Sequence, residues 1–328
     1  MPRPSPSALF AVLAVLLSAG AAGCDFEKVI EIDVPEYTER LVIGGALSTD
    51  SVMAVSVSRS RSAFETIQPG ALPFRLSNAR VAVYDEEGVL LDSLRYTGLN
   101  TGYHESRYRS ERGLVPEAGR AYTLRVTAPG LPPAEATTRI PEPVPFTVRV
   151  DGIEGGLPSP SPPVARLAFA FADPPGAQTY ALYLGYDDER LDTTVVYLPI
   201  PFESIDPVLR RRLSTLDDAV DLGLPAGTRR YYNEAFFRDR LIENQSYEIA
   251  LKVPLRSYED GTEEDPLDIA VTLAVLDADF VRYQQTLLIQ EASADNPFAE
   301  PVRLHTNVEG GLGVFAGYAT YRVRVPFE

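Results

Sequence analysis

The sequence predicts a mainly β protein made of two β-sandwich domains of immunoglobulin-like type in tandem, the second with one or two helical insertions. Short segments that alternate apolar and polar residues recur along the chain, as half-buried strands do. Turn-forming residues separate these segments, with 28 Pro and 23 Gly in 328 residues. A proline-rich stretch at 141–145 then divides the alternating segments into two groups.

The N-terminus has the three-part layout of a secretory signal peptide. Arg3 is followed by an apolar stretch and then by small residues up to position 23, and Cys24 comes next as the sole cysteine. A cysteine directly after small residues is typical of a bacterial lipoprotein signal, whose thiol is lipidated before cleavage. We therefore expect a signal peptide over 1–23, lipidation at Cys24 and a spacer over 24–38. Ordinary secretion without a lipid and an uncleaved segment are the alternatives.

The first domain is predicted over 39–140. Glu86-Glu87-Gly88 indicates a hairpin turn, because glycine readily takes the positive φ that such turns require. Several short strands with turns between them are typical of an immunoglobulin-like sandwich. The predicted strands cover 40–47, 52–60, 79–85, 89–95, 102–108, 120–127 and 134–140.

The second domain is predicted over 146–328, after the linker at 141–145. The alternating prolines of that linker favour a stiff, extended connection that cannot lie inside a sheet. The predicted strands of this domain cover 146–153, 165–172, 179–186, 193–199, 246–255 and 267–276.

Two helices are predicted inside the second domain. Asp206-Pro207 is typical of a helix start, with an N-cap followed by proline at the first helical position. A longer helix is expected near 277–291, where one apolar stripe indicates packing against the sheet. That stripe consists of Leu276, Phe280, Tyr283 and Leu287.

Composition limits the classes of partner. The formal net charge of −16 argues against nucleic acid and against a face lying flat on anionic lipid. A single cysteine permits no disulfide framework within the chain. We therefore expect contact with the membrane through the lipid anchor alone, and no nucleic-acid partner.

Residues for catalysis are few, so we expect a protein that is not an enzyme and holds no cofactor. The two histidines, His104 and His305, lie in different predicted domains, and no nucleophile elbow, zinc-protease helix or phosphate loop occurs. A hydrolase stays open as an alternative, because catalytic carboxylate pairs are set by the fold rather than by spacing.

Acidic clusters leave calcium open as a ligand. The longest, over 259–265, offers carboxylate oxygens but does not match the spacing of a calcium loop. Such clusters are also common at the hairpin tips of an acidic protein. The other clusters are 85–87, 187–189 and 217–218.

Aromatic residues could bind sugar rings, although the chain has no tryptophan. Tyr231-Tyr232 and Phe236-Phe237 are the candidate exposed platforms, and packing in the core or in turns explains them equally well.

A glycine-rich segment at 307–318 is the most specific local pattern. Its spacing does not fit a dinucleotide-binding loop, so it predicts a tight turn that seats a last strand over 320–325 in the second sheet. The signature residues are Asn307, Gly310, Gly311, Gly313, Phe315 and Gly317.

This segment resembles the C-terminal signature of the domain-of-unknown-function family 4249, which is found in Bacteroidota. The likeness covers nearly the whole mature chain. The matching stretches are Leu41-Val42-Ile43-x-Gly45, Gly102-Tyr103, Gly119-x-x-Tyr122-x-Leu124, Phe171-Ala172-Asp173-Pro174, Phe237-Arg238-Asp239, Asn296-Pro297-Phe298, Pro301 and 307–318.

The resemblance implies an outer-membrane lipoprotein encoded beside TonB-dependent receptors. We therefore expect a non-catalytic accessory or ligand-capture partner of a TonB-dependent transporter, held on either face of the outer membrane by its lipid. A surface lipoprotein that binds glycans or peptides independently is the first alternative, and a hydrolase is the second. The resemblance supplies no catalytic residues.

Overall fold

The structure is a computed structural model that describes residues 37–62, 75–98, 107–155, 163–186, 200–210, 230–232, 234–255, 268–293, 300 and 302–327. Residues Glu39–Glu328 form one compact unit, to which the following description applies. The unit is mainly β, as the sequence predicts. In the described part of the chain, no helix is long and apolar enough to cross a membrane.

The secondary structure consists of strands β1 to β17 and, among the described residues, one α-helix, α1. The strands are β1 (Leu41–Ser48), β2 (Ala54–Arg59), β3 (Arg80–Tyr84), β4 (Leu90–Tyr96), β5 (Tyr108–Ser110), β6 (Ala121–Thr127), β7 (Ala134–Arg139), β8 (Phe146–Glu154), β9 (Val164–Ala172), β10 (Thr179–Tyr186), β11 (Phe202–Ser204), β12 (Arg230–Tyr232), β13 (Glu234–Arg238), β14 (Ser246–Pro254), β15 (Ile269–Leu276), β16 (Val308–Glu309) and β17 (Leu312–Val325). The helix α1 spans Ala278–Ser293.

The strands form two open sheets. One has the order β13-β10-β15-β17-β1-β2-β5-β4-β3-β6-β7-β16, and the other has the order β12-β11-β14-β9-β8. Most of the expected strands are present within a residue or two of their predicted ends. The predicted strand over 193–199 and most of that over 102–108 lie outside the described residues.

Two hydrophobic cores fill the unit. The first contains side chains from Leu41 to Ile140, and the second begins at Val144. The packing therefore changes from one core to the other at the proline-rich stretch. Three side chains near the C-terminus, Val308, Phe315 and Ala319, nevertheless belong to the first core.

The last strand differs from the expectation in both length and position. The predicted glycine turn is present but confined to Gly310 and Gly311, and the strand expected over 320–325 already begins at Leu312 as β17. The first part of β17 pairs with β1 in parallel, and its second part pairs with β15 antiparallel. The strand is therefore shared by both cores rather than seated in the second sheet alone.

The predicted helices have different outcomes. The long helix is confirmed as α1, and Asp277 caps it by accepting hydrogen bonds from the backbone N–H groups of Asp279 and Phe280. Burial raises the pKa of Asp277. Phe280, a member of the predicted apolar stripe, packs on Tyr318 of β17. At Asp206-Pro207 the described residues form only a short 3-10 turn, in which Asp206 accepts a hydrogen bond from Val208 N.

Candidate functional site

An open cleft lies where β8 begins and β9 ends, beside the start of β14. Its volume of about 520 Å³ falls within the usual range of small-molecule sites. The lining residues come from β8, β9, β14, β17 and the end of the linker: Pro145, Phe146, Thr147, Ala170, Phe171, Ala172, Ser246, Tyr247, Glu248 and Tyr321.

The strand register explains how the cleft is formed. Ala170 of β9 pairs with Thr147 of β8 on one side and with Glu248 of β14 on the other. Two residues further along the same face, Ala172 pairs with Ser246. Because alternate residues of a strand point to the same face, these five side chains share one surface. Ala170 and Ala172 form the base of this surface because their side chains are short, and Thr147, Ser246 and Glu248 flank them.

The opposite face of the same strands carries the aromatic support. Phe146 and Phe171 are opposite each other in the register and are buried in the second core. Tyr321 of β17 packs its ring edge-on against Phe146, with 5.4 Å between the ring centroids. Tyr321 is nevertheless 38% exposed, so part of its ring remains accessible at the cleft.

Several polar groups of the cleft have hydrogen-bonding capacity to spare. Within the described residues, the side-chain oxygens of Thr147, Ser246 and Tyr321 make no hydrogen bond. Glu248 has an ion-pair contact of 3.6 Å with Arg149, and both side chains are more than half exposed. Tyr247 differs, because its hydroxyl donates to Asp206 at 3.2 Å and burial raises its pKa. The cleft therefore offers three hydroxyl groups without a hydrogen-bond partner among the described residues and one carboxylate whose ion pair with Arg149 is exposed to solvent.

Asn307, the first of the signature residues, holds the last strand in place. Its side-chain amide accepts a hydrogen bond from Phe315 N at 2.9 Å and donates one to Phe315 O at 2.7 Å. β1 pairs with this part of β17 on one side, and β15 pairs with β17 on the other side only from Tyr318 onward. The two bonds from Asn307 therefore satisfy the backbone of Phe315 where β15 does not reach. Phe315 is thereby fixed with its ring fully buried in the first core.

The signature glycines let this closing segment, residues 307–317, pass between β7 and β1. A Cβ atom on Gly310 would overlap the carbonyl oxygen of Pro133, and one on Gly313 would overlap that of Ile43. Gly311 and Gly317 are similarly close to Leu41 and Ile140. Since β16 pairs with β7 while β17 pairs with β1, the closing segment links the two sides of the first core. The signature is structural in this fold.

His305 connects the closing segment to α1. Its Nε2 lies 2.8 Å from Asp279 Oδ1, and its backbone N–H donates to Thr286 Oγ1 at 2.9 Å. The Thr286 hydroxyl in turn donates to carbonyl groups of its own helix, and Asn307 Nδ2 lies 3.4 Å from Asp279 Oδ2. These contacts position the helix against the chain before β16.

Two of the stretches that carry the resemblance, 171–174 and 237–239, meet in the second core. Tyr180 donates a hydrogen bond to Asp173, and its ring packs against both Phe171 and Phe237. Burial and the Asp173 carboxylate raise the pKa of Tyr180, so the phenol keeps its proton and remains the donor. Burial, together with nearby Asp173, also raises the pKa of Asp239. This cluster joins the ends of β9, β10 and β13.

Of the two readings left open for Phe236-Phe237, an exposed platform or packing in the core, the structure shows packing. Phe237 is completely buried, and Phe236 is partly buried in a small apolar cluster with Val281 of α1. Tyr231-Tyr232 lies in β12, outside the residues whose side chains are described. The accessible aromatic residue at the cleft, Tyr321, was missed because the alternating run over 320–325 does not show which face of the strand is exposed to solvent.

Other candidate residues have different positions. The cluster at 85–87 forms a hairpin turn in which Asp85 Oδ1 accepts hydrogen bonds from Glu87 N and Val89 N. Cys24, His104 and the acidic clusters at 187–189, 217–218 and 259–265 lie outside the described residues. In the part of the chain that is described, no group of three or more His, Cys, Asp or Glu residues could hold a metal ion.

Solved structures offer only weak similarity. A mutant of Salmonella alpha-2-macroglobulin is 9% identical with a TM-score of 0.23, over 90% of this chain and 15% of that one. Trypsin-activated alpha-2-macroglobulin from Escherichia coli is 11% identical with a TM-score of 0.22, over 75% and 15% of the two chains. The native E. coli protein is 13% identical with a TM-score of 0.24, over 74% and 13%. The chain thus matches only a small part of these proteins, and TM-scores this low do not define its fold.

Comparison with protein families is decisive. No curated protein matches the chain. The profile of the family described as "Domain of unknown function (DUF4249)" matches residues 27–324, which is nearly the whole sequence and includes the closing segment. The chain therefore belongs to the DUF4249 family.

Proposed function

We propose that the protein is a lipid-anchored, non-catalytic accessory protein of the outer membrane that captures a ligand for a TonB-dependent transporter. The cleft is the observation that carries the proposal. It combines an accessible tyrosine with uncommitted polar groups, and its size suits a small ligand. The setting beside a transporter is the one implied by the family resemblance.

The scaffold under the cleft suits binding without rearrangement. β14 pairs with β9 over nine consecutive residue pairs, and β8 pairs with β9 along most of its length. Groups fixed on paired strands keep their positions when a ligand arrives, so little conformational entropy is lost.

The anchor rests on the signal layout that ends at Cys24. A cysteine that carries several acyl chains would hold the protein stably at the membrane, whereas one chain would not. We expect Cys24→Ser to move the protein from the membrane fraction to the soluble periplasmic fraction. Ser18→Ala, which leaves the cysteine in place, serves as the control. A Cys24→Ser protein that stays in the membrane fraction would contradict lipid anchoring.

The partnership is tested by purifying the tagged protein from its own outer membrane in a mild detergent. We expect a β-barrel transporter to co-purify in a stoichiometric amount, identified by mass spectrometry. The Cys24→Ser variant, released from the membrane, controls for binding after lysis. If the wild-type protein is recovered alone, the accessory role is wrong and the alternative, an independent glycan- or peptide-binding lipoprotein, takes its place.

A further inference from the structure

We infer that the cleft binds a neutral sugar ring, with Tyr321 as its stacking platform and Glu248 as its principal hydrogen-bond acceptor. This inference rests on the proposed function, because it names the class of ligand that the cleft would capture. It replaces the platform that the sequence suggested at Phe236-Phe237.

The apolar part of the cleft fits the flat face of a sugar. A pyranose ring presents C–H bonds on its faces and hydroxyl groups around its edge. Tyr321 offers an aromatic surface whose negatively polarised face attracts such C–H bonds, and its edge contact with Phe146 holds the ring in place. The small side chains of Ala170 and Ala172 leave the floor low enough for a ring to approach the sheet.

The polar part of the cleft fits the edge of a sugar. Thr147 and Glu248 lie on either side of Ala170, two strand spacings or about 10 Å apart. A purely apolar ligand between them would remove these groups from water without giving them partners, which costs free energy. Sugar hydroxyls, which both donate and accept, would satisfy the carboxylate of Glu248 and the hydroxyl groups of Thr147 and Ser246.

Charge determines which sugars fit. Among the lining residues, Glu248 alone is charged, and the nearby cation Arg149 is paired both with Asp151 at 2.8 Å and with Glu248 itself at 3.6 Å. An acidic sugar would therefore meet a carboxylate and no free cation within the cleft. The formal net charge of −16 acts in the same direction. The ligand should therefore be a neutral glycan.

The test is calorimetric titration of the full-length protein in a detergent without sugar headgroups. The probes are six neutral hexasaccharides: maltohexaose, cellohexaose, xylohexaose, laminarihexaose, mannohexaose and hexa-N-acetylchitohexaose. Saturation-transfer NMR on the same samples extends detection to weak binding. We expect at least one probe to bind, and polygalacturonate, an acidic glycan, not to bind.

Variants then locate the site. Tyr321→Ala should weaken binding about tenfold through loss of stacking, whereas Tyr321→Phe should stay within about threefold of the wild type. Glu248→Gln should weaken binding about tenfold, because a neutral acceptor forms a weaker hydrogen bond than a carboxylate. The matched control is Glu135→Gln, which alters a similarly exposed glutamate paired with Arg125 on β6 and β7.

Two outcomes overturn the inference. In the first, neither calorimetry nor NMR detects binding of any of the six probes. In the second, a probe binds, but neither Tyr321→Ala nor Glu248→Gln weakens its binding. If a tryptic peptide mixture binds in a Tyr321-dependent manner while no sugar does, the cleft takes peptides and the sugar assignment is wrong. Co-purification with a transporter does not depend on this result, so the ligand class can fail while the accessory role stands.

Discussion

Replacing Gly313 by alanine tests whether the closing segment holds the first core together. Gly313 lies opposite Ile43 in the parallel pair of β1 and β17, at a φ of +99°. An added Cβ would overlap the backbone carbonyl of Ile43, which belongs to a buried strand and cannot rotate away as a side chain could. The substitution therefore introduces both backbone strain and a steric overlap.

The two effects can be estimated separately. A non-glycine residue in the left-handed region costs about 1–2 kcal/mol. Forcing extra volume into a packed region costs about 1–3 kcal/mol more. We expect Gly313→Ala to lower the free energy of unfolding by roughly 2–5 kcal/mol. For a domain of this size, that corresponds to a fall in melting temperature of roughly 5–15 °C.

The matched control is Gly88→Ala. Gly88 has a similar positive φ of +79° in the hairpin between β3 and β4, but no atom lies within 4 Å of the position that an added Cβ would occupy. It should show the strain alone, a loss of about 1–2 kcal/mol. Urea unfolding followed by circular dichroism measures both variants. Equal losses for Gly88→Ala and Gly313→Ala would refute the reasoning, because the close approach to β1 would then contribute nothing.

Two further predictions concern hydrogen bonds, and both are measured by the same unfolding assay. Asn307→Ala should cost about 2–3 kcal/mol, because the N–H and C=O of Phe315 both lose their partner; a loss below about 0.5 kcal/mol would show that the amide is dispensable. For Asp92, burial alone would raise the pKa, but hydrogen bonds from Ser110, Ser93 and Arg112 outweigh it and lower the pKa. Its carboxylate therefore stabilises the fold above pH ~4 and this contribution is lost as the pH falls through the lower folded-state pKa. The stability difference between wild type and Asp92→Asn should shrink from pH 6 to pH 3, and a constant difference would contradict this.

Local patterns predicted most of the individual elements. Alternation located strands such as β10 at their observed ends, and the 3.6-residue stripe located α1 within two residues. The hairpin at 86–88 followed from the positive φ that Gly88 adopts. Each of these predictions depends on contacts within a few residues, for which the sequence is sufficient.

Predictions that required a choice of face or partner were less successful. In β13, Ala235 and Phe237 are buried in the core, whereas Phe236 faces the small cluster at α1. Because both faces of this strand carry apolar residues, the alternation of apolar and polar side chains could not show which face is exposed. The cleft was missed for the same reason, since Thr147, Ala170 and Tyr321 have no common sequence pattern.

The sequence by itself determined the β-rich class, the family and the hairpin turn at 86–88, because these depend on side-chain periodicity and backbone conformation along short stretches. It also supplied the signature glycines without showing what they approach. Only the tertiary structure decided that β17 lies between β1 and β15 and closes the first core. The pairing of β1 with β17 joins residues that lie near opposite ends of the sequence. The register of this pair depends on how closely the backbones of β1 and β17 can approach each other. Interactions between residues near in sequence do not determine that approach.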